Sequence, residues 1–143
     1  MVTVARVRFP VLEAGPPGEE AVVFVHGNPG SSRDWEDLAA RAGQSGRAVA
    51  LDVPGFGQAD EPDTFDYTVR GYARHLGGCL AELGISRVHL VMHDLVEDPR
   101  SFDTYDRVRG GIRRCGPLRP VLCALVPCRV RGAPSMLAST GRG

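Results

Sequence analysis

The sequence predicts an α/β domain: a mostly parallel sheet with flanking helices, followed by a poorly ordered tail. Three observations carry that reading. Apolar runs at Ala21–Val25, Ala48–Leu51 and Arg87–Met92 alternate with stretches of helical periodicity. The runs end in loops bearing glycine or aspartate, at His26–Gly30, Asp52–Asp60 and Asp94. From about residue 97 the chain turns rich in Arg, Pro and Cys and loses the alternation. The domain is therefore set at residues 1–96, with residues 97–143 as a tail of low expected order.

Taken in order, Val2–Phe9 alternates Val2, Val4 and Val7 with polar or small positions and reads as an edge strand. Pro10–Glu20, with Gly15-Pro16-Pro17-Gly18, reads as a turn region. Ala21–Val25 is uninterrupted AVVFV, as expected of a strand covered on both faces. A helix over Arg33–Ala42 follows, capped by Ser31 or Ser32, with Trp35, Leu38 and Ala42 on its inner face and Asp34, Glu36 and Asp37 at its positive end. Gly43 and Gly46 release the chain into Ala48–Leu51. Thr68 caps a longer helix running to Leu83, with Val69, Tyr72, Ala73, Leu76, Leu80 and Leu83 at helical spacing, and Gly84 ends it. Arg87–Met92 is the third strand. Strands separated by helices and short connections make right-handed βαβ units, whose chemistry gathers at the carboxyl ends of the strands.

Composition limits the function classes. At 143 residues, with 43% hydrophobic and 24% charged residues, the chain is an ordinary globular length for one domain. A formal net charge of zero argues against nucleic acid or a membrane surface as partner. The zero conceals an asymmetry: residues 1–96 hold 8 Arg against 13 Asp and Glu, and residues 97–143 hold 9 Arg against 4 acids. Cys115, Cys123 and Cys128 form no C-x-x-C pair and no His follows His93, so no metal and no cofactor is expected. The start, MVTVARVRFP, has no signal-peptide core, and the expected setting is cytoplasmic.

The stretches FVHGNPGSSRDW, ALDVPGFGQAD and HLVMHD, in that order and spacing, resemble the α/β-hydrolase superfamily over about residues 4–95. The aspartate at Asp94 is similar to the nucleophile of its haloalkane dehalogenase and epoxide hydrolase branch. The resemblance implies a partial α/β-hydrolase fold and a hydrolase acting on a small halide, epoxide or ester. Asp94 would attack carbon to give an alkyl-enzyme ester, which a His-activated water would then open. Asn28 and the backbone N–H of Leu95 would be the oxyanion donors, and Asn28 also matches a halide-binding position. His26, Gly27, Gly30, Gly55 and Gly57 would shape the loops. Plainer readings stand beside these: His26 as a structural hydrogen bonder, the glycines as turn formers, His75 and His89 as surface or packing residues, Asp94 as a helix cap. Gly55 and Gly57 do not complete a dinucleotide fingerprint.

The pattern departs at its end. Leu95 stands where dehalogenases of this branch carry Trp, and Val96 where the strained turn after the nucleophile wants Gly. His93, next to Asp94 on a strand, should point to the opposite side. The abrupt loss of the motif, the charge reversal and the Arg-, Pro- and Cys-rich tail set the expectation of a truncated or frame-shifted hydrolase, with the coding frame lost near residue 96. The resemblance implies a downstream catalytic His and a cap that are not found, so inactivity as the chain stands is expected. The alternative is a non-catalytic remnant or binding module. An exposed apolar sheet edge would then favour self-association. In the tail, a helix beginning near Asp98 or Ser101, a strand at Val121–Val126 and disorder over Ala133–Gly143 are expected. Arg109-Gly110-Gly111 is a single copy of an RNA-binding type of segment, too little to carry that function.

Overall fold

The computed structural model describes residues 1–92 and 127–129. His93, Asp94, Leu95, Val96, Cys115, Cys123 and the tail elements expected around Asp98–Ile112, Val121–Val126 and Ala133–Gly143 lie outside the described residues.

The strands are β1 (Val2–Val4), β2 (Val7–Phe9), β3 (Val11–Ala14), β4 (Glu20–Val25), β5 (Arg47–Leu51), β6 (Arg87–Met92) and β7 (Pro127–Arg129). The helices are a 3-10 turn at Ser32–Trp35 followed by α1 (Glu36–Ala42), and α2 (Val69–Glu82). β3, β5, β4, β6 and β7 form one sheet in that order, and β1 and β2 form a separate two-stranded sheet. The central pairings, β4 with β5 and β4 with β6, are parallel; the outer pairings, β3 with β5 and β6 with β7, are antiparallel.

Two expectations at the amino end are corrected. Val2–Phe9 is not one edge strand but a hairpin, with Ala5 at φ 48° and Arg6 at φ 69° forming the turn. Positive φ at both central residues fits the right-handed twist of a tight hairpin, normally signalled by Asn or Gly. Here neither residue gives that signal. The hairpin is held instead by Val7 and Phe9, which are buried against the main core. Pro10–Glu20 is not all turn: Val11–Ala14 pairs with Leu51–Ala48 as an antiparallel edge strand.

The two crossovers leave on opposite faces. α1 packs over Phe24, Ala48, Ala50 and Val91, with Trp35 and Ala39 filling the layer. α2 covers the other face, where Val23, Val25, Val49, Leu51, Val88, Leu90 and Met92 meet Leu76, Cys79 and Leu80. Alternate residues of one strand thus feed different cores, as the two-residue side-chain period requires.

Both helix starts follow from local chemistry. The Asp34 carboxylate accepts from the Ser31 N–H at 3.0 Å, holding the entry to the 3-10 turn. Thr68 Oγ1 accepts from the Gly71 N–H at 3.2 Å as the N-cap of α2. Leu38, expected inside, is exposed, and Ala39 is buried in its place. The tighter 3-10 turn through Trp35 resets the phase of the helix, so the inward stripe runs Trp35, Ala39, Ala42. His75, offered as a surface or packing residue, is a packing residue, buried between Phe9 and Phe65.

At the amino end of the sheet Arg47 ties four segments together. Its guanidinium donates to the Gly18 and Leu83 carbonyls, both at 2.9 Å, and to the Glu13 carboxylate. The opposite, carboxyl end is left to the loops that carry the candidate site.

Candidate functional site

The site is built where β4 and β5 end side by side, with Val25 opposite Leu51. Their helices leave toward opposite faces, so the loops after them, His26–Ser31 and Asp52–Asp60, diverge as they leave the sheet. Such divergence opens a crevice in α/β sheets. In this chain the crevice is laced by hydrogen bonds.

His26 is fully buried, and its Nε2 lies 3.1 Å from the Val53 nitrogen, accepting that N–H. The acceptor role at Nε2 places the proton on Nδ1, which donates to the Gly27 carbonyl at 2.8 Å. Both ring nitrogens are occupied in holding backbone, and neither is free to act as a base. Phe56 contacts the imidazole edge-on, with ring centroids 5.9 Å apart.

Asp52 returns the connection. Its carboxylate, buried with 2% exposure, accepts from the Ser32 N–H at 2.6 Å and the Gln58 N–H at 2.7 Å. His26 of the first loop therefore grips the backbone of the second, and Asp52 of the second grips Ser32, where the first loop enters its 3-10 turn. Sequence reasoning placed Asp52 only at the mouth of a loop. The available signal was an acidic residue directly continuing a buried apolar strand, which has to find donors.

The glycines fit this close packing. A Cβ at Gly30 would lie 2.6 Å from Asp34 Oδ2 and 3.0 Å from the Gly27 carbonyl. Gly57 has φ 59°, and a Cβ there would fall 2.2 Å from Asp52 Oδ2. Gly55 also takes positive φ, 83°, beside the Tyr67 ring. The Asp52–Asp60 loop is closed on itself by the Gly55 N–H donating to the Asp60 carbonyl, and it is anchored to the hairpin through Asp60 and Arg8.

Asn28 sits at the exposed crest of the first loop, before a cis peptide to Pro29. β6 runs parallel to β4 with Met92 opposite Val25, so the chain leaves β6 toward Asp94 at the sheet end where Asn28 stands. Asp94 and Leu95 themselves lie outside the described residues. His89 is far from this end: its Nε2 meets the Glu20 carboxylate at 2.8 Å near the start of β4. That contact, with Arg87 beside it, holds the Glu20 carboxyl below its ordinary value.

A cavity of about 570 Å³ opens on the β3 side, lined by Val11, Ser31, Arg33, Asp52 and Gln58 among others. Neither Asn28 nor any β6 residue lines it. Among the described residues no group of three His, Cys, Asp or Glu side chains is placed to hold a metal ion. No helix among them is long and apolar enough to cross a membrane. Cys79 is fully buried in the α2 core, and burial pushes its thiol up to about 12, leaving it inert at neutral pH.

A βαβ sheet with interlocked loops at its carboxyl end agrees with what comparison with known proteins shows. The model of the alpha/beta hydrolase family matches residues 22–95, just over half of the chain, and the chain belongs to that family. A haloalkane dehalogenase of Mesorhizobium japonicum is 40% identical over 83 residues, covering 58% of this chain and 26% of its own length. The crystal structure of a haloalkane dehalogenase from Agrobacterium tumefaciens superposes with a TM-score of 0.57 at 33% identity, over 65% of this chain and 31% of that one. An epoxide hydrolase from Vigna radiata gives a TM-score of 0.59 at 30% identity, over 65% of this chain and 30% of that one. The chain thus spans about a quarter of the length of the first of these.

Proposed function

We propose that the chain carries the nucleophile half of a hydrolase site, with Asp94 as the attacking carboxylate toward a small alkyl halide, epoxide or ester. The observation that carries this reading is the parallel register of β6 on β4, which directs the strand end before Asp94 toward the Asn28 loop. The family match ends at residue 95, immediately past Asp94, and the relatives named above include dehalogenases and an epoxide hydrolase.

The reaction divides into two steps with different requirements. In the first, an Asp94 oxygen bonds to the substrate carbon as the halide leaves with its electron pair, aided by the Asn28 amide. In the second, a base draws a proton from water, which attacks the ester carbonyl, and Asn28 and the Leu95 N–H hold the oxyanion. The first step needs no base. The second does, and among the described residues His26 is committed to backbone, His75 is buried in the α2 core and His89 stands at the opposite end of the sheet. We therefore expect alkylation without turnover. Losing one member of such a unit typically costs about 10⁴-fold or more.

Incubation with an alkyl bromide followed by intact-mass measurement tests this. One alkyl adduct on the wild type and none on Asp94→Asn is the expected result. Steady release of bromide would show that a base is present after all. No adduct on either protein would leave a non-catalytic binding module as the better description.

A further inference from the structure

We infer that Asp52 is a positioning residue for the candidate site, setting the aim of Asn28 by holding both ends of the crevice between the two loops. The inference rests on the reading of Asp94 and Asn28 given above. Asp52 touches no reacting atom; it acts through the loop.

The Asn28 loop is held on both sides of its crest. Before Asn28, His26 is fixed to the Val53 N–H and in turn holds the Gly27 carbonyl. After it, the Ser31 N–H is bound by Asp34 and the Ser32 N–H by Asp52. Of these, the bond to Asp52 alone joins the far end of the Asn28 loop to the second loop. Two N–H groups converge on one buried carboxylate, and charge-assisted bonds of this kind are about twice as strong as neutral ones. Gly57 lets the second loop close over that carboxylate, since any side chain there would displace it. Without that carboxylate the loops stay joined only on the near side of Asn28, through His26 and the Val53 N–H, and the far side at Ser32 is released from the second loop.

The consequence is chemical. In the first step a C–O bond to Asp94 forms, the carbon–halogen bond breaks and the halide takes the bonding pair; no proton or further reactant is consumed. The departing halide is served by an Asn28 amide only if that amide is aimed at it. A misplacement of about 1 Å in such a group costs roughly 100-fold.

The test uses the full 143-residue chain with 1-bromobutane and 1-chlorobutane, read as the rate of butyl adduct formation by intact mass. Asp52→Asn keeps the shape but turns one acceptor into a donor facing an N–H. It should slow butylation roughly 10- to 100-fold. The double variant Asp52→Asn with Asn28→Ala should be no slower than Asn28→Ala alone, as expected of residues acting through one contact. The bromide-to-chloride rate ratio should move in Asp52→Asn as it does in Asn28→Ala, which a general loss of stability would not produce. Additive losses, or an unchanged ratio, would overturn the inference.

A second measurement does not depend on the nucleophile. Amide hydrogen exchange at Gly27–Ser31 should quicken at least tenfold in Asp52→Asn while the α2 amides keep their protection. Gly57→Ala, which pushes the carboxylate from the other side, should do the same, and it serves if Asp52→Asn does not fold. Unchanged loop exchange in a folded variant would overturn the positioning role whatever the mass measurement gives. If the wild type takes no adduct, or Asp94→Asn takes one equally well, the nucleophile reading fails, and exchange alone then decides for or against Asp52.

Discussion

The two faces of the sheet are packed on different terms. On the α2 face, branched and aromatic side chains from β2, β4, β5, β6 and α2 make a deep core. On the α1 face, Ala39, Ala48 and Ala50 bring the helix close, and Trp35 and Phe24, 5.3 Å apart between ring centroids, supply most of the bulk. Adjacent residues of β5 show the contrast directly: Val49 and Leu51 enter the first core, Ala48 and Ala50 the second. The deep face should fail through cavities, and the thin face through crowding.

The largest effect is expected on the deep face. Leu80 is fully buried between α2 and the sheet, and Leu80→Ala should cost about 3 kcal/mol, read as a lower urea midpoint at unchanged slope. A cost below about 1 kcal/mol would mean that this face is not close-packed, and the contrast would lose its basis.

Next comes His75, the polar residue in the same core. It is 5% exposed, its ring meets Phe9 and Phe65 edge-on, and neither nitrogen has a hydrogen-bond partner among the described residues. Burial lowers its pKa from 6.5 to about 4. The folded state therefore takes up its proton at lower pH than the unfolded state does. His75 costs no additional stability above about pH 6.5; as the pH falls toward 4, the unfolded state gains the proton first, and about 3 kcal/mol of stability is lost. The lowered carboxyls of Glu20 and Asp66 titrate below their ordinary values of 4.5 and 3.8, so they leave most of this window to His75. Urea midpoints measured between pH 7.5 and 4.5 should fall steeply in the wild type and much less in His75→Leu, which has no proton to gain.

On the thin face the sign of a useful substitution reverses. Ala50→Leu adds volume where Phe24 and α1 already close over the strand, and it should cost about 2 kcal/mol through overpacking. The matching change on the other face, Val49→Ala, destabilises by removing volume. If Ala50→Leu were neutral, the small residues would not be what brings α1 close.

What was legible in the sequence follows the same division. β4, β5, β6 and α2 could be read because each is long enough for its period to show, and each is bounded by glycine or a cap. The short elements were missed for identifiable reasons. Val11–Ala14 lies between Pro10 and Gly15-Pro16-Pro17-Gly18, whose turn signals outweigh four residues, and its pairing with β5 is a long-range choice. The hairpin turn uses Ala5 and Arg6, which carry no turn signature. At the site, the loops and their glycines were visible, but the exchange of partners between His26 and Asp52 was not. It depends on two strands lying side by side, and nothing local to either loop encodes that.

The smallest effect concerns the start of α2, where propensity and packing can be separated. Thr68 itself is exposed, so its side chain contributes little to either core, yet its Oγ1 satisfies the Gly71 N–H. The first turn also passes close beneath Asp66: a Cβ at Gly71 would meet the Asp66 carbonyl at 1.7 Å. Thr68→Ala should therefore cost about 1 kcal/mol, with Thr68→Ser close to wild type, since Ser restores the acceptor without the methyl group. Measured beside Leu80→Ala on the same helix, the pair gives the share of α2 stability that belongs to its cap rather than to the deep core. A Thr68→Ala cost equal to that of Leu80→Ala would mean that the helix is held at its end and not along its face.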